Sequence, residues 1–396
     1  MRRMAALAVV LLAILGYGLS LVDTGEAWAD DELAASLLLE PEAADLSGFR
    51  TVTGPREWDF PADFGPHLDY STEWWYYTGN LRAGDGRHFG YQFTIFRRAI
   101  APPGPAADSE WRSGQVYMAH FTLTDVAGGR FLHEQRYSRD GAELAGATSE
   151  PRLNIWLEDL ELQALNDDAS RVRLRAAMEN ASIDFTLEHL KPPRLRGIAG
   201  YSRKGSAAHQ ASHYYSIPRL ATRGTLTLDG ERIELRGESW MDHEFFTHYL
   251  APEIVGWDWF ALLLDDGREL SLGWLRLQNG ATRHYGAAGS AAFLVAADGS
   301  ARQIAAADVQ VEVTDSWTSP HTGATYPAAW RLRLADGTGL DLTLRPLLAD
   351  QELHDSDIVY WEGAIEVSGD VSGYGYAELT GYHRPMGAGF LPAAAS

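Results

Sequence analysis

The feature that most constrains this chain is a turn that keeps returning. Asp85-Gly86, Asp229-Gly230, Asp266-Gly267 and Asp336-Gly337, with the related Gly128-Gly129 and Gly369-Asp370, each separate two short stretches of alternating apolar and polar residues. A period of two places successive side chains on opposite faces of a strand, and Asp-Gly between two such runs favours a tight hairpin. The paired runs are Glu73–Leu81 with His88–Phe96, Gln115–Asp125 with Arg130–Arg136, and Thr225–Leu228 with Arg232–Leu235. Further along come Trp257–Leu264 with Glu269–Leu277, Trp330–Leu334 with Leu340–Leu344, and Val359–Val367 with Tyr374–Tyr382. No window sustains a capped helical stripe over three turns. The pattern predicts an all-β, mostly antiparallel protein.

Two of the hairpins resemble each other. Those around Asp85-Gly86-Arg87 and Asp266-Gly267-Arg268 share an aromatic first strand, the same turn and an aromatic-bearing return strand, with Trp75/Tyr77 and Trp257/Trp259 in comparable places. A repeat at that separation suggests two similar β domains, and 396 residues are ample for both. The expected organisation is a leader at 1–29, a linker at 30–54, a first domain at 55–245 and a second at 246–390. Strands in this number fit two closed or nearly closed antiparallel barrels, which remove sheet edges and can enclose a cavity of lipocalin type.

The leader is read from order, not composition. Met1-Arg2-Arg3-Met4 is positive, Ala5 to Val22 is uncharged, and Ala27-Trp28-Ala29 precedes Asp30. That is the layout of a cleaved secretory signal, with an uncleaved anchor as the alternative, so export to the periplasm is expected. Lys and Arg number 33 against 54 Asp and Glu, a net charge of −21 that speaks against nucleic-acid binding. The lack of cysteine excludes disulfides, thiolate catalysis and cysteine-held metals.

Three stretches carry chemistry. In Trp74-Trp75-Tyr76-Tyr77, alternate rings would line a barrel interior and pack outside it, with His67 and Glu73 at the cavity mouth. Between Lys191 and Ser212 lie five basic residues, Arg203 among them, with no acid and several glycines. That loop reads either as a solvated segment or as a lid that clamps an anionic head group. In the third, His213 and Tyr215 share one strand face, and Trp240 and Asp242 share another. If the two strands are neighbours, an imidazole, a carboxyl and two π-faces converge. A carboxyl kept neutral by an apolar wall could protonate an alkene there, His213 could orient water, and the rings of Tyr215 and Trp240 could face the cation. His243 to His248 is one residue too long for the zincin spacing, so no metal is expected.

The run Trp58 to His67, then Glu73 to Leu81, Phe89-Gly90-Tyr91-Gln92, Ser212 to Ser216, Trp240 to Glu244 and Tyr360-Trp361-Glu362-Gly363 resembles the AttH/carotenoid 1,2-hydratase (CrtC) family. The resemblance covers about residues 55–385. It implies two lipocalin-like barrels packed side by side and a hydratase that needs no cofactor, with Asp242 as general acid and His213, Tyr215 and Trp240 around it. The family pattern is His-x-Trp followed by Tyr-x-Asp, and this chain holds the other aromatic at each of the two positions. Three functions follow as expectations. One is a hydro-lyase acting on an isoprenoid-like alkene. Another is a carrier of an apolar or lipid ligand lined by Glu73, Trp74, Trp75, Tyr77, His67 and Arg203, with transient membrane contact. The third is a secreted hydrolase using Glu73, Asp242 or Glu244.

Overall fold

The computed structural model describes residues 46–102, 113–248, 253–284 and 290–386. The leader and most of the linker lie outside the described residues. Within them no helix is long and apolar enough to cross a membrane.

The first sheet has thirteen strands: β1 (Thr72–Ala83), β2 (His88–Ala99), β3 (Gln115–Asp125), β4 (Arg130–Arg139), β5 (Ala145–Thr148), β6 (Asn154–Leu157), β7 (Leu160–Ala164), β8 (Arg171–Met178), β9 (Ala181–His189), β10 (Arg194–Leu195), β11 (Tyr201–Arg203), β12 (Ala211–Leu228) and β13 (Glu231–Phe246). Their order is β4-β3-β2-β1-β13-β12-β9-β8-β7-β6-β5, and β10 and β11 pair with β12. The two ends come back against each other, where β5 meets β3 and β4, so the sheet is a nearly closed barrel. The second sheet has eleven strands: β14 (Ile254–Leu264), β15 (Glu269–Leu277), β16 (Thr282–His284), β17 (Ser290–Val295), β18 (Ala301–Ala305), β19 (Val309–Thr318), β20 (Thr325–Leu334), β21 (Asp341–Pro346), β22 (Glu352–Leu353), β23 (Tyr360–Gly369) and β24 (Gly373–Thr380). Its order is β18-β17-β15-β14-β24-β23-β21-β20-β19, a half-barrel. The fold is all-β, two-barrel and lipocalin-like.

Every hairpin read from the sequence is present, and the two similar ones agree in atomic detail. Arg87 donates its backbone N–H to Asp85 Oδ1 and its Nε to Asp85 Oδ2, and Arg268 does the same to Asp266. Gly86 and Gly267 sit at φ of +92° and +83°, where any side chain would be strained. The two hairpins hold equivalent places, β13-β1-β2 in one sheet and β24-β14-β15 in the other.

Each sheet buries one face in its own core. In the first, Trp75, Tyr77, Leu81, Phe93, Phe185 and Leu226 belong to one continuous apolar cluster. In the second, Phe260, Leu262, Trp330 and Trp361 do so. Fully burying rings and branched chains of this size contributes about 1.5–3 kcal/mol each. The opposite faces of the two sheets meet in a junction. There Tyr76, Trp240, Trp259, Ala261, Ala364 and Tyr376 form a separate cluster drawn from both sheets.

Candidate functional site

Strand parity decides which side chains can meet. On β1 the odd-numbered Glu73, Trp75 and Tyr77 point to the first barrel, and the even-numbered Trp74 and Tyr76 point to the junction. The registers Trp75↔His243, Tyr76↔Asp242, Tyr215↔His243 and Ser216↔Asp242 carry the same division across β1, β13 and β12. Two polar assemblies result, one on each face.

The barrel-side assembly is built around Glu73. Oε1 of this carboxylate meets His67 Nδ1 at 2.8 Å and His243 Nε2 at 2.7 Å, and Oε2 accepts from His67 N at 2.9 Å and Arg97 Nε at 3.1 Å. Arg97 is itself fully buried and also donates to the carbonyls of His67 and Tyr70. The Nε2 of His67 faces Asp63 Oδ1 at 2.9 Å, so both of its ring nitrogens donate to carboxylates and the ring is an imidazolium. Burial alone would lower the pKa of His67, but its bonds to Asp63 and Glu73 raise it. Burial likewise works against ionising Glu73, yet Arg97 and the two imidazoles hold it far below the usual carboxylate range. His243, pushed down by burial, accepts from the Tyr215 hydroxyl at 2.7 Å through Nδ1. One donor atom from each of His67, Glu73 and His243 lies within 4.8 Å of the others, a set that zinc would accept. The network is complete without an ion, because Arg97 supplies the countercharge and every one of those atoms has a partner. Its Glu73 carboxylate stays ionised, and through His67 it ties segment 56–70 to β1, β2 and β13.

The junction-side assembly is different in kind. Asp242 is buried, with Tyr214 Oη donating to Oδ2 at 2.8 Å and Ser216 Oγ donating to Oδ1 at 2.5 Å. Burial pushes its pKa up to about 6, against the opposing pull of Arg196 and these hydroxyls. From the second sheet, Glu378 takes the Trp257 indole N–H at 2.8 Å, and burial, with the charges of Asp242 and Glu244, lifts it to about 7. Glu362 accepts from Tyr76 Oη at 2.8 Å and is raised well above the carboxylate range by burial and by Glu378. Its other oxygen has no hydrogen-bond partner among the described residues. The Trp259 ring stands edge-on to Tyr76 at 5.3 Å and to Trp240 at 6.3 Å. Protonatable carboxyls walled by π-faces are what acid chemistry on an apolar substrate requires. Along the same junction, a cavity of about 200 Å³ lies between Asn80, Arg82, Arg236 and Glu238 of the first sheet and Ala261 and Tyr374 of the second.

A model of AttH-like proteins matches residues 51–382. The chain belongs to the AttH-like family. A Nitrosomonas europaea protein (NE1406) named as a candidate AttH is 36% identical, with 84% of this chain and all of that one aligned at a TM-score of 0.73. Kievitone hydratase of Nectria haematococca shares the fold at 16% identity and a TM-score of 0.61, over 85% of this chain and 97% of its own. CghA, solved with Sch210972, shares it at 12% identity and 0.51, with the same coverage. No curated protein sequence matches significantly.

In this AttH-like chain the four residues expected to converge do not. β12 and β13 are neighbours, as expected, but His213 pairs with Phe245 and lies on the barrel face with Tyr215, while Asp242 and Trp240 lie on the junction face. His213 sits edge-on to Trp58 and Tyr70, and burial and the nearby Arg56 push it down to about 3, so it is a neutral ring remote in chemistry from Asp242. The residues that do reach Asp242 are Tyr214 and Ser216, between and beyond the two the spacing singled out. Trp75 and Tyr77 are 1–2% exposed and belong to the packed barrel core, so they do not line a lipocalin-type cavity. Trp74 packs instead on Phe96 and Phe246. The basic loop is not a free lid. Lys191 reaches Glu269 at 2.7 Å, Arg196 reaches Ser271 at 2.9 Å and Lys204 reaches Glu244 at 2.7 Å, each buried. Arg203 bonds carbonyls of its own loop, at Gly205 and Ser206, rather than presenting a clamp. Of the three hydrolase carboxyls, Glu73 is on the wrong face to work with Asp242, and Glu244 is tied to Lys204.

Proposed function

We propose that the junction is the active site of an exported, cofactor-independent acid catalyst that hydrates an apolar, isoprenoid-like alkene, with Asp242 as general acid. The observation that carries this reading is a buried Asp242, raised to about 6, on the strand face that turns Trp240 to the junction and paired in register with Tyr76, whose ring meets Trp259 of the second sheet. The neutral carboxyl gives its proton to one alkene carbon, and the cation that forms is steadied by Tyr76, Trp240 and Trp259. Water adds to the cation, and its surplus proton returns to the Asp242 carboxylate, which closes the cycle. Kievitone hydratase, on the same fold, is by its name also a hydratase. The test incubates the full chain with a panel of isoprenoid alkenes in H₂¹⁸O and follows label uptake by mass spectrometry. Uptake that vanishes in Asp242→Asn supports the reading, and equal uptake in that variant ends it. A second reading, a carrier for an apolar or lipid ligand, draws on the cavity at the junction, where Arg82 and Arg236 would meet a polar head group and Ala261 and Leu263 the apolar part. A carrier would co-purify with an unchanged lipid and be indifferent to Asp242.

A further inference from the structure

At one rim of the junction, away from Asp242, three imidazoles meet. His133 projects from β4, the outermost strand of the first sheet, and its side chain is only 7% exposed. Its Nδ1 is 3.0 Å from Asp355 Oδ1, on the loop that follows β22 of the second sheet. The His354 ring stands edge-on to His133 at 4.9 Å, and His321 lies flat on His354 at 3.8 Å with its Nε2 on Asp350 at 2.9 Å.

The tautomer of His354 is fixed by its neighbour. Its Nδ1 lies 3.2 Å from the carbonyl oxygen of Glu352, which can only accept, so Nδ1 carries the hydrogen and Nε2 keeps a lone pair. A backbone carbonyl on one ring nitrogen is the arrangement that orients a metal-binding histidine. One donor atom from each of His133, His354 and Asp355 lies within 4.8 Å of the others. Ligands of a tetrahedral zinc ion, with bonds of 2.0–2.1 Å, stand about 3.3 Å apart, close to the spacing that His133 and Asp355 already have. The contrast with the Glu73 network is chemical: there a buried guanidinium neutralises the carboxylate, whereas Asp355 is paired with an imidazole and is 73% exposed, open to an arriving ion.

We propose that His133, His354 and Asp355 form a site for a divalent transition-metal ion, zinc by its imidazole–carboxylate donor set, which fastens the two sheets at this rim. The experiment titrates untagged full-length protein, stripped with chelator and desalted, with Zn²⁺ by calorimetry and measures retained zinc by elemental analysis. One zinc per chain is expected, with His354→Gln and Asp355→Asn each weakening it at least 10- to 100-fold. The melting midpoint should rise with the logarithm of free zinc, as for any ligand that binds only the folded state. His209→Gln should leave binding intact, since His209 and His248 form a separate close imidazole pair outside this cluster. The absence of saturable uptake overturns the proposal. So does uptake that survives both His354→Gln and Asp355→Asn, or uptake that His209→Gln removes.

Discussion

His213 and Asp242 lie on hydrogen-bonded neighbouring strands and face opposite sides of the sheet they share. The register that pairs His213 with Phe245 and Ser216 with Asp242 leaves an odd offset between them, so the backbone itself separates the imidazole from the carboxyl. His213→Ala should therefore lower kcat less than tenfold, whereas Asp242→Asn should abolish turnover. Steady-state kinetics of the two variants on the substrate found by label uptake decides it, and equal losses would contradict the two-face arrangement.

Tyr214 tests the junction site from its flank. Its hydroxyl and that of Ser216 stabilise the ionised form of Asp242 and so hold its pKa down against burial. A hydrogen bond to a charged group is worth about 1.5–3 kcal/mol, or roughly one to two pK units. Tyr214→Phe should move the alkaline limb of the pH–rate profile upward by about one unit while the folded state persists. A limb that stays put or moves downward would show that another group carries the proton.

The same carboxyl leaves a mark on stability. Its pKa is raised from 3.8 to about 6 in the folded chain. Between those values the folded state holds a proton that the unfolded state has released, so Asp242 favours folding at low pH. That contribution is lost as pH rises through about 6. A shift of this size corresponds to about 3 kcal/mol. Asp242→Asn cannot ionise, so the stability of the variant relative to the parent should improve by most of that amount, about 2 kcal/mol, between pH 4 and pH 7. Urea unfolding at the two pH values measures it, and a pH-independent difference would show that Asp242 is not desolvated.

Glu73 should matter to the fold more than to the chemistry. It is the shared acceptor for the buried Arg97 and His243 and for the half-buried His67. Removing one partner from a buried ion pair strands the other and costs about 3–5 kcal/mol. Glu73→Gln should lose stability on that scale in denaturant titrations, with residual folded protein keeping its turnover. A near-neutral effect would mean that the network is not closed as described.

The architecture was legible because it rests on local signals. Asp-Gly turns and period-two alternation set each hairpin, and the matching hairpins at Asp85 and Asp266 disclosed that the chain repeats itself. The site was legible only in part. The sequence shows that His213 and Tyr215 share a face, and that Trp240 and Asp242 share one, but it cannot show whether those are the same face. That depends on the pairing partner, and a one-residue change of register inverts it. The loop from Lys191 to Ser212 misled for a related reason. Its charges look unbalanced along the chain because the carboxylates that answer them, Glu244 and Glu269, come from β13 and β15. Glu378 lay in a strand read only as half of a hairpin, and Glu362 in a motif to which no role was attached, since nothing local marks a strand whose polar face will meet a second sheet.

Gly90 marks a place where the two sheets approach closely. A Cβ at this position would lie 2.7 Å from Ala364 Cβ on β23 and 2.8 Å from the Tyr376 hydroxyl on β24. Tyr376 is packed in the junction and Ala364 Cβ is fixed to its strand, so Gly90→Ala has to separate the sheets by a few tenths of an ångström and Gly90→Val by more. Overpacking of this kind costs about 1–3 kcal/mol. The loss should fall on the junction, since the residues that fill each barrel point the other way. Gly90→Val is expected to keep its far-ultraviolet dichroism, melt earlier, and lose turnover more steeply than stability because Trp240 and Trp259 no longer close on the substrate. A Gly90→Val protein as active and as stable as the parent would mean that the faces of β2 and β23 do not bear on each other, and the junction could not then be the enclosed, water-poor site that Asp242 needs.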